Sequence, residues 1–422
     1  MFTREIPTHI RTEKMEVKFP MITLDNSLKE AVLFPFDNVN IPFSNALKLE
    51  LVAGKKPGQT NPIVLGRGQP GDPDDNSVRY YGTVIQIDET LHMWYQSLST
   101  LDPNPRGRRL CYATSTNGVN WEKPQLGLID FNGSKDNNIV DIFDGEPAQA
   151  ASPIIYDPVD TDPDRRFKMS FESGKYNNNQ AVAYSPDGLR WTESPNNPVG
   201  PRLEQAGLIK FNGCYYVNGQ DEMGDHGTHY GQARKLVTFA SYDFEQWTQS
   251  SCLGFRRDNL PPRPMPTEWN QGEEVHLGAG LWDRGNIIIG VYGAWHGHPT
   301  GDRRFITMDL ELVVSNDALI YREPVPDFKF ISSYEELDTP ADRGPALMQG
   351  QGMYNVGDET LFWYEVWGWN DVRLAWLLPD LPHPGPPPLH HRCDRPGRST
   401  RRRIRQRRRG VRTCLPHVRV SG

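Results

Sequence analysis

The chain has 422 residues, of which 37% are hydrophobic and 23% are charged, and its formal net charge is −7. Glycine (38) and proline (36) are too frequent for long helices, whereas 11 Trp and 16 Tyr suit a turn-rich all-β protein. The sequence has no apolar run of the ~18 residues that a membrane helix needs. Its start has no apolar signal segment, so we expect a cytoplasmic protein. The cysteines have no regular spacing, so we expect no disulfide framework.

The first 60 residues precede the repeated strand patterns of the chain. We predict that residues 1–60 form an N-terminal segment and that this segment supplies a strand that closes the main domain. Two stretches have a strand-like pattern, 15–19 and 31–34, and the residues alone do not decide between them.

Residues 61–376 contain five similar units. Each unit has an apolar strand, a hairpin, an aromatic second strand and a third strand that leads into a turn. The first unit illustrates the pattern with strands at 81–86, 91–96 and 110–114. The first strands of the other units begin near residues 152, 206, 275 and 352. This arrangement predicts a five-bladed β-propeller of four-stranded antiparallel blades.

A seven-residue pattern, Ser-x-Asp/Asn-x-x-x-Trp/Tyr, ends the third strand of four units. Serine and Asp or Asn side chains bind nearby backbone in tight turns, and the aromatic residue is expected to pack between neighbouring sheets. We therefore predict that these turns are structural and lie far from the active face. The four copies begin at Ser115, Ser185, Ser241 and Ser315 and end at Trp121, Trp191, Trp247 and Tyr321.

The last residues differ in composition from the rest. Residues 379–422 contain twelve Arg, eight Pro and four His but only two acidic residues, so this end carries about +10 and the remainder about −17. An arginine-rich stretch at 401–409 resembles a polyanion-binding patch. We favour the alternative that 377–422 is a disordered, non-functional tail read out of frame, and we expect no specific nucleic-acid partner.

Several motifs in the first two units resemble those of known proteins. They are YGTV at 81–84, MWYQ at 93–96, YATSTNGVNW at 112–121 and GSKDNNIV at 133–140. The combination resembles the five-bladed propellers of glycoside hydrolase families 32 and 43, and most closely a family-32-like bacterial group. The resemblance covers residues 60–376 and implies carbohydrate metabolism. Such proteins often continue into a β-sandwich, whose absence agrees with an out-of-frame tail.

Propeller geometry indicates which side chains reach the channel. Residues just before the first strand of a unit, or just after its second strand, lie on one face. Acidic and aromatic residues at these points are expected to bind or cleave a sugar, because glycosidic bond cleavage uses two carboxyl groups and indole rings stack on sugar faces. The substrate-binding candidates are Glu172, Asp221, Trp295, His296, Trp367 and Trp369.

Glu204 is the strongest catalytic candidate. Its segment, EQAGLIKFNGCYY at 204–216, is similar to the family 43 segment in which a Glu precedes a strand, a turn glycine and a Tyr-Tyr pair. The resemblance implies that Glu204 is the general acid. The partner carboxylate is expected from Asp75, Glu222 or Glu274, and the sequence leaves this choice open.

Two departures from the families weaken the assignment. Arg79 stands where family 32 has its nucleophilic Asp, and Ser152 replaces the second Asp of both families. The principal hypothesis is a glycoside hydrolase that acts on an oligo- or polysaccharide. The alternatives are a non-catalytic carbohydrate-binding or scaffold propeller and an inactive truncated fragment. We expect no metal, no cofactor and no membrane partner, and the sequence does not indicate an oligomeric state.

Overall fold

The computed structural model describes residues 34–43, 45, 48–51, 63–102, 108–142, 152–220, 234–257, 272–335, 344–357, 359–367, 372–377 and 419–421. Within these residues the regular structure is β-strand, apart from single-turn 3-10 helices such as Pro163–Arg165 and Arg303–Phe305. The strands are β1 (Lys48–Glu50), β2 (Ile63–Leu65), β3 (Ser77–Ile87), β4 (Thr90–Leu98), β5 (Arg109–Ser115), β6 (Ile154–Tyr156), β7 (Phe167–Glu172), β8 (Asn179–Ser185), β9 (Thr192–Glu193), β10 (Gly200–Arg202), β11 (Glu204–Phe211), β12 (Cys214–Gln220), β13 (Leu236–Ser241), β14 (Cys252–Phe255), β15 (Glu273–Asp283), β16 (Ile288–His296), β17 (Thr307–Ser315), β18 (Lys329–Ile331), β19 (Leu347–Val356), β20 (Glu359–Val366), β21 (Val372–Leu377) and β22 (Arg419–Ser421).

The described strands form four large sheets, which confirms the predicted all-β propeller but not its blade count. Three sheets correspond to single sequence units and contain β6–β10, β11–β14 and β15–β18. The fourth has seven strands in the order β2-β21-β20-β19-β3-β4-β5. The prediction of five separate blades is therefore wrong. The inner strands β19 and β3 pair in parallel at Gln351 and Thr83, and this pairing joins the units expected to be first and last.

The strand that closes the seven-stranded sheet is β2. It pairs antiparallel with β21, placing Ile63 opposite Arg373. Residues 15–19, one of the two predicted closing segments, lie outside the described residues. In the other predicted closing segment, 31–34, only Phe34 is described. Phe34 packs in the hydrophobic core and does not belong to a strand. The predicted tail contributes β22, which pairs with β1, and residues 378–418 lie outside the described part of the chain.

The predicted turn chemistry is confirmed in all four copies. In the first, Ser115 Oγ accepts a hydrogen bond from the Gly118 amide at 2.9 Å, and Asn117 Oδ1 accepts one from Asn120. The aromatic residue donates to the carbonyl at the centre of the turn, as Trp121 Nε1 does to Gly118 at 3.0 Å. The same bonds occur at the turns that begin with Ser185, Ser241 and Ser315.

The same turns also join neighbouring units. Trp363 of β20 donates its indole N–H to the Gly118 carbonyl at 2.9 Å, and Trp94 of β4 donates to the Gly188 carbonyl at 2.7 Å. Each indole is buried against the turn of the next unit. These turns therefore fix the packing of adjacent units at the outer part of the ring.

Buried amide side chains link the inner strands β3, β6, β11, β15 and β19, which lie around the centre of the molecule. Gln351 Oε1 accepts from the Leu208 amide at 2.5 Å, and its Nε2 donates to the Ile154 carbonyl at 3.1 Å. Asn218 binds both the amide and the carbonyl of Ala279. These side chains satisfy backbone groups of neighbouring sheets and hold the ring closed around its axis.

None of the helices in the described residues has the length and apolar composition of a membrane-spanning helix.

Candidate active site

Charged and aromatic side chains gather at one end of the inner strands. Here β11 and β15 begin and β16 and β20 end, so residues from distant parts of the chain lie together. An apolar cluster that contains Leu277 and Met348 supports this region. We call it the channel mouth and define it by Tyr81, Glu204, Arg234, Glu274, His276, Trp295, Arg303 and Trp367.

Glu204, the predicted general acid, is one of the residues that define the mouth. It is the first residue of β11 and is half-buried, and Gln220 of β12 donates its side-chain N–H to Glu204 Oε2. Gln220 is itself held by the Leu277 amide, which donates to Gln220 Oε1 at 3.0 Å. Burial raises the pKa of Tyr81, the charges of Glu365 and Glu204 raise it further, and those of Arg79 and Arg108 oppose this rise.

Glu274 is the second predicted acid that reaches the mouth. It is fully buried, and its Oε2 lies 3.5 Å from Arg234 Nη1. The Arg234 guanidinium also lies over the ring of Trp295, with its carbon 4.5 Å from the ring centroid. Because Glu274 and Trp295 are cross-strand partners in β15 and β16, they are on the same face of the sheet.

Aromatic rings form one wall of the mouth. Trp295 is fully buried, His276 stacks on it at 5.5 Å between centroids, and Trp367 is half-buried with its centroid 6.4 Å from that of Trp295. Arg303 covers both indoles, 4.8 Å from the Trp367 centroid and 5.6 Å from that of Trp295. Burial, followed by the charges of Arg234 and Arg303, lowers the pKa of His276, so its imidazole is neutral.

Arg79 occupies the position where the resembled family has an Asp, and Glu365 of β20 pairs with it. Arg79 Nη1 lies 2.9 Å from Glu365 Oε1, and the Tyr80 amide donates to the other oxygen. Burial raises the pKa of Glu365, and the Arg79 contact opposes that effect. Both oxygens of this carboxylate are thus bound, and we assign Glu365 a structural role beside Tyr81.

The other predicted residues are distributed differently. Asp75 accepts hydrogen bonds from the Thr100 amide at 2.8 Å, the Thr100 hydroxyl and the Gly71 amide, so its described contacts join two loops rather than face the mouth. Glu172 ends β7 and is buried. Asp221, Glu222 and Trp369 lie outside the described residues, and their roles stay predictions.

His296 ends β16, next to Trp295, but its side chain points to the opposite face because successive strand residues alternate. Its Nδ1 lies 2.9 Å from Glu273 Oε2, and its Nε2 lies 3.0 Å from Asp309 Oδ2. Burial lowers the pKa of His296, but the bonds to Asp309 and Glu273 outweigh it and raise the pKa to about 9. His296 is therefore a cation in an ion-pair network.

The same network contains two groups of side chains with metal-compatible spacing. One is His296, Asp309 and Glu311, and the other is Glu311, Glu323 and Asp327. Protein cations contact acids of both groups. Arg257 lies 2.6 Å from Glu311 and 3.2 Å from Glu323, and Lys329 lies 2.5 Å from Asp309. Arg257, Lys329 and the protonated His296 therefore offset part of the negative charge of these groups.

Replacing His296 with glutamine is expected to change how stability depends on pH. In the folded protein the pKa of His296 is raised from 6.5 to about 9, so folding favours the protonated ring. Its stabilisation is complete below about pH 6.5 and is lost as the pH rises through about 9. In denaturant titrations, the wild type should lose stability relative to His296→Gln across this range, whereas His298→Gln, in an exposed loop, should follow the wild type. Parallel profiles for all three proteins would contradict this network.

Arg234 and Arg303 were missed by sequence reasoning, although a signal for both exists. They lie in the connections from β12 to β13 and from β16 to β17, and second-to-third-strand connections lie on the same face as the mouth. Neither arginine is an acid or an indole, the residue types that are expected to bind or cleave a sugar. Tyr81 belongs to the YGTV motif, which indicates the fold and not a site.

Comparisons with known proteins identify the fold. No family model and no curated protein matches the chain. Solved structures that it resembles include a glycosyl hydrolase from Bacteroides ovatus, with a TM-score of 0.50 and 16% identity over 79% of this chain and 96% of that one. Another comes from a study of the GH130 family of mannoside phosphorylases, which is described as containing glycoside hydrolases that target β-1,2-mannosidic linkages in Candida mannan. Its TM-score is 0.50, with 16% identity over 80% of this chain and 97% of that one. The chain therefore shares an all-β propeller fold with glycoside hydrolases.

Proposed function

We propose that the protein cleaves glycosidic bonds of an oligo- or polysaccharide at the channel mouth, with the carboxylate chemistry of families 32 and 43 that its motifs resemble. The observation that carries this proposal is that the starts of β11 and β15 bring Glu204 and Glu274 to the mouth. Glu204 is bonded by Gln220, whose Oε1 accepts from the Leu277 amide of β15, and Glu274 of the same strand lies 3.5 Å from Arg234.

The surroundings of the two acids suggest different roles. Glycosidic cleavage needs one carboxyl group that gives a proton to the leaving oxygen and a second that stays charged as nucleophile or base. We assign Glu204 the proton-donor role because its segment resembles the family 43 segment whose Glu is the general acid, and the Gln220 amide holds its carboxyl group in place. Glu274 is paired with Arg234, a cation that stabilises a negative charge, and suits the charged role.

The test is a screen of aryl-glycosides and oligosaccharides with the wild type and Glu204→Gln. Loss of the acid should lower kcat/KM by about 10²–10⁴-fold, as is usual for general acids, while sugar binding persists. Glu122→Gln is the matched control, because Glu122 is exposed beside the structural turn at Ser115. Unchanged turnover in Glu204→Gln would refute the proposed role.

One observation favours a second function, a carbohydrate-binding propeller without catalysis. The position of the family 32 nucleophile is held by Arg79, which is ion-paired with Glu365, and the position of the second Asp by Ser152. If no glycan in the screen is cleaved by the wild type and sugars still bind, the binding function replaces the hydrolase.

A further inference from the structure

We propose that the channel mouth binds a negatively charged sugar, and that Arg303 and Arg234 hold its carboxylate, as in a uronic acid. This inference rests on the proposed function, because it names the substrate class of the same site. It predicts an acidic glycan rather than a neutral one.

The first argument is the placement of two guanidinium groups on one indole. The guanidinium carbons of Arg234 and Arg303 lie 4.5 and 5.6 Å from the centroid of Trp295. Like charges repel each other, and the charge of Arg234 adds to burial in lowering the pKa of Arg303. A bound anion would offset this repulsion.

The second argument is how Arg303 is held. Its described contacts are with aromatic rings, and within the described residues it makes no ion pair or hydrogen bond. The adjacent Arg304 pairs with Asp302 at 2.7 Å. A guanidinium fixed by stacking keeps its planar set of N–H donors available for a carboxylate, which it binds with two parallel hydrogen bonds.

The third argument is an unmet hydrogen-bond donor at the mouth. Trp295 Nε1 is a buried donor with no hydrogen-bond acceptor among the described residues, and it belongs to the indole that both arginines cover. The mouth therefore offers an acceptor a neutral N–H donor beside two guanidinium groups.

The experiment measures binding of a galacturonate trisaccharide and its methyl ester by calorimetry. The methyl ester has nearly the same shape without the charge. We expect the acid to bind about 10–100-fold more tightly than the ester, the range for losing a hydrogen bond to a charged group. Arg303→Gln should remove that preference, so that acid and ester bind this variant with equal affinity, and Arg304→Gln, from the same turn, should keep the preference of the wild type.

Three results would overturn the inference. They are equal affinity for acid and ester, an acid preference that survives Arg303→Gln, and binding of inorganic phosphate or sulfate alone without binding of the uronate. The last result would mean that the arginines hold a free anion. Higher salt should weaken acid binding and spare the ester, because exposed charges are screened.

The failure of this inference is distinguishable from the failure of the proposed function. Glu204-dependent cleavage of neutral aryl-glycosides without any acid preference would refute only the acidic substrate. Binding of the uronate that depends on Arg303, with no cleavage of any glycan, would refute only the hydrolase.

Discussion

Replacing Arg257 with methionine is expected to lower the free energy of unfolding by about 3–5 kcal/mol, the usual cost of leaving buried charges without their partner. The Arg257 side chain is fully buried, and its guanidinium lies 2.6 Å from Glu311, 3.2 Å from Glu323 and 2.8 Å from Glu273. Because Arg257 follows β14 and its partners lie in or beside β15 and β17, the loss should also weaken the contact between two sheets.

Denaturant titrations at pH 7 and pH 5 test this prediction. Burial raises the pKa of Glu311 while Arg257 opposes that rise, so Glu311 should protonate more readily in the variant, and the deficit should shrink at the lower pH. Arg304→Met is the matched control, because its pair with Asp302 is exposed and should contribute less than about 1 kcal/mol. A deficit for Arg257→Met no larger than that of the control would contradict a role for this network in stability.

The ion-pair network illustrates what the sequence does not reveal. Arg257, Glu273 and Glu311 are far apart in the chain, and each occurs in an ordinary polar context. The turns beginning with Ser115 and Ser185 were predictable, because their hydrogen bonds join residues two or three positions apart. Local bonding can be read from spacing, whereas the burial of an arginine depends on the packing of two sheets.

The predicted number of blades is wrong for a related physical reason. Strand patterns identify units, but they do not determine which sheet a strand joins, and a single parallel pair at Gln351 and Thr83 unites two units. Propeller geometry predicts that Glu204 and Glu274 share one face. Arg234 and Arg303 lie in connections on that face, but their positions depend on how these connections pack and not on a strand pattern.

Replacing Gln351 with leucine is expected to lower the free energy of unfolding strongly, because the buried Gln351 side chain links strands across the centre of the ring. Replacement by leucine keeps the size of the side chain but leaves the Leu208 amide and the Ile154 carbonyl without their partner. An unsatisfied buried polar group costs about 1–3 kcal/mol, so the variant should lose about 2–6 kcal/mol of unfolding free energy.

Gln86→Leu is the matched control, because Gln86 lies on the inner strand β3 but, among the described residues, its side-chain amide bonds only an exposed carbonyl, that of Asp88. Its effect should stay within about 0.5 kcal/mol. Hydrogen exchange localises the effect: the Leu208 amide should exchange faster in Gln351→Leu than in the wild type, whereas the amides of the outer turns should change only as far as global stability falls. If the Leu208 amide stays as protected as before, the sheets are held around the axis by apolar packing and not by this side chain.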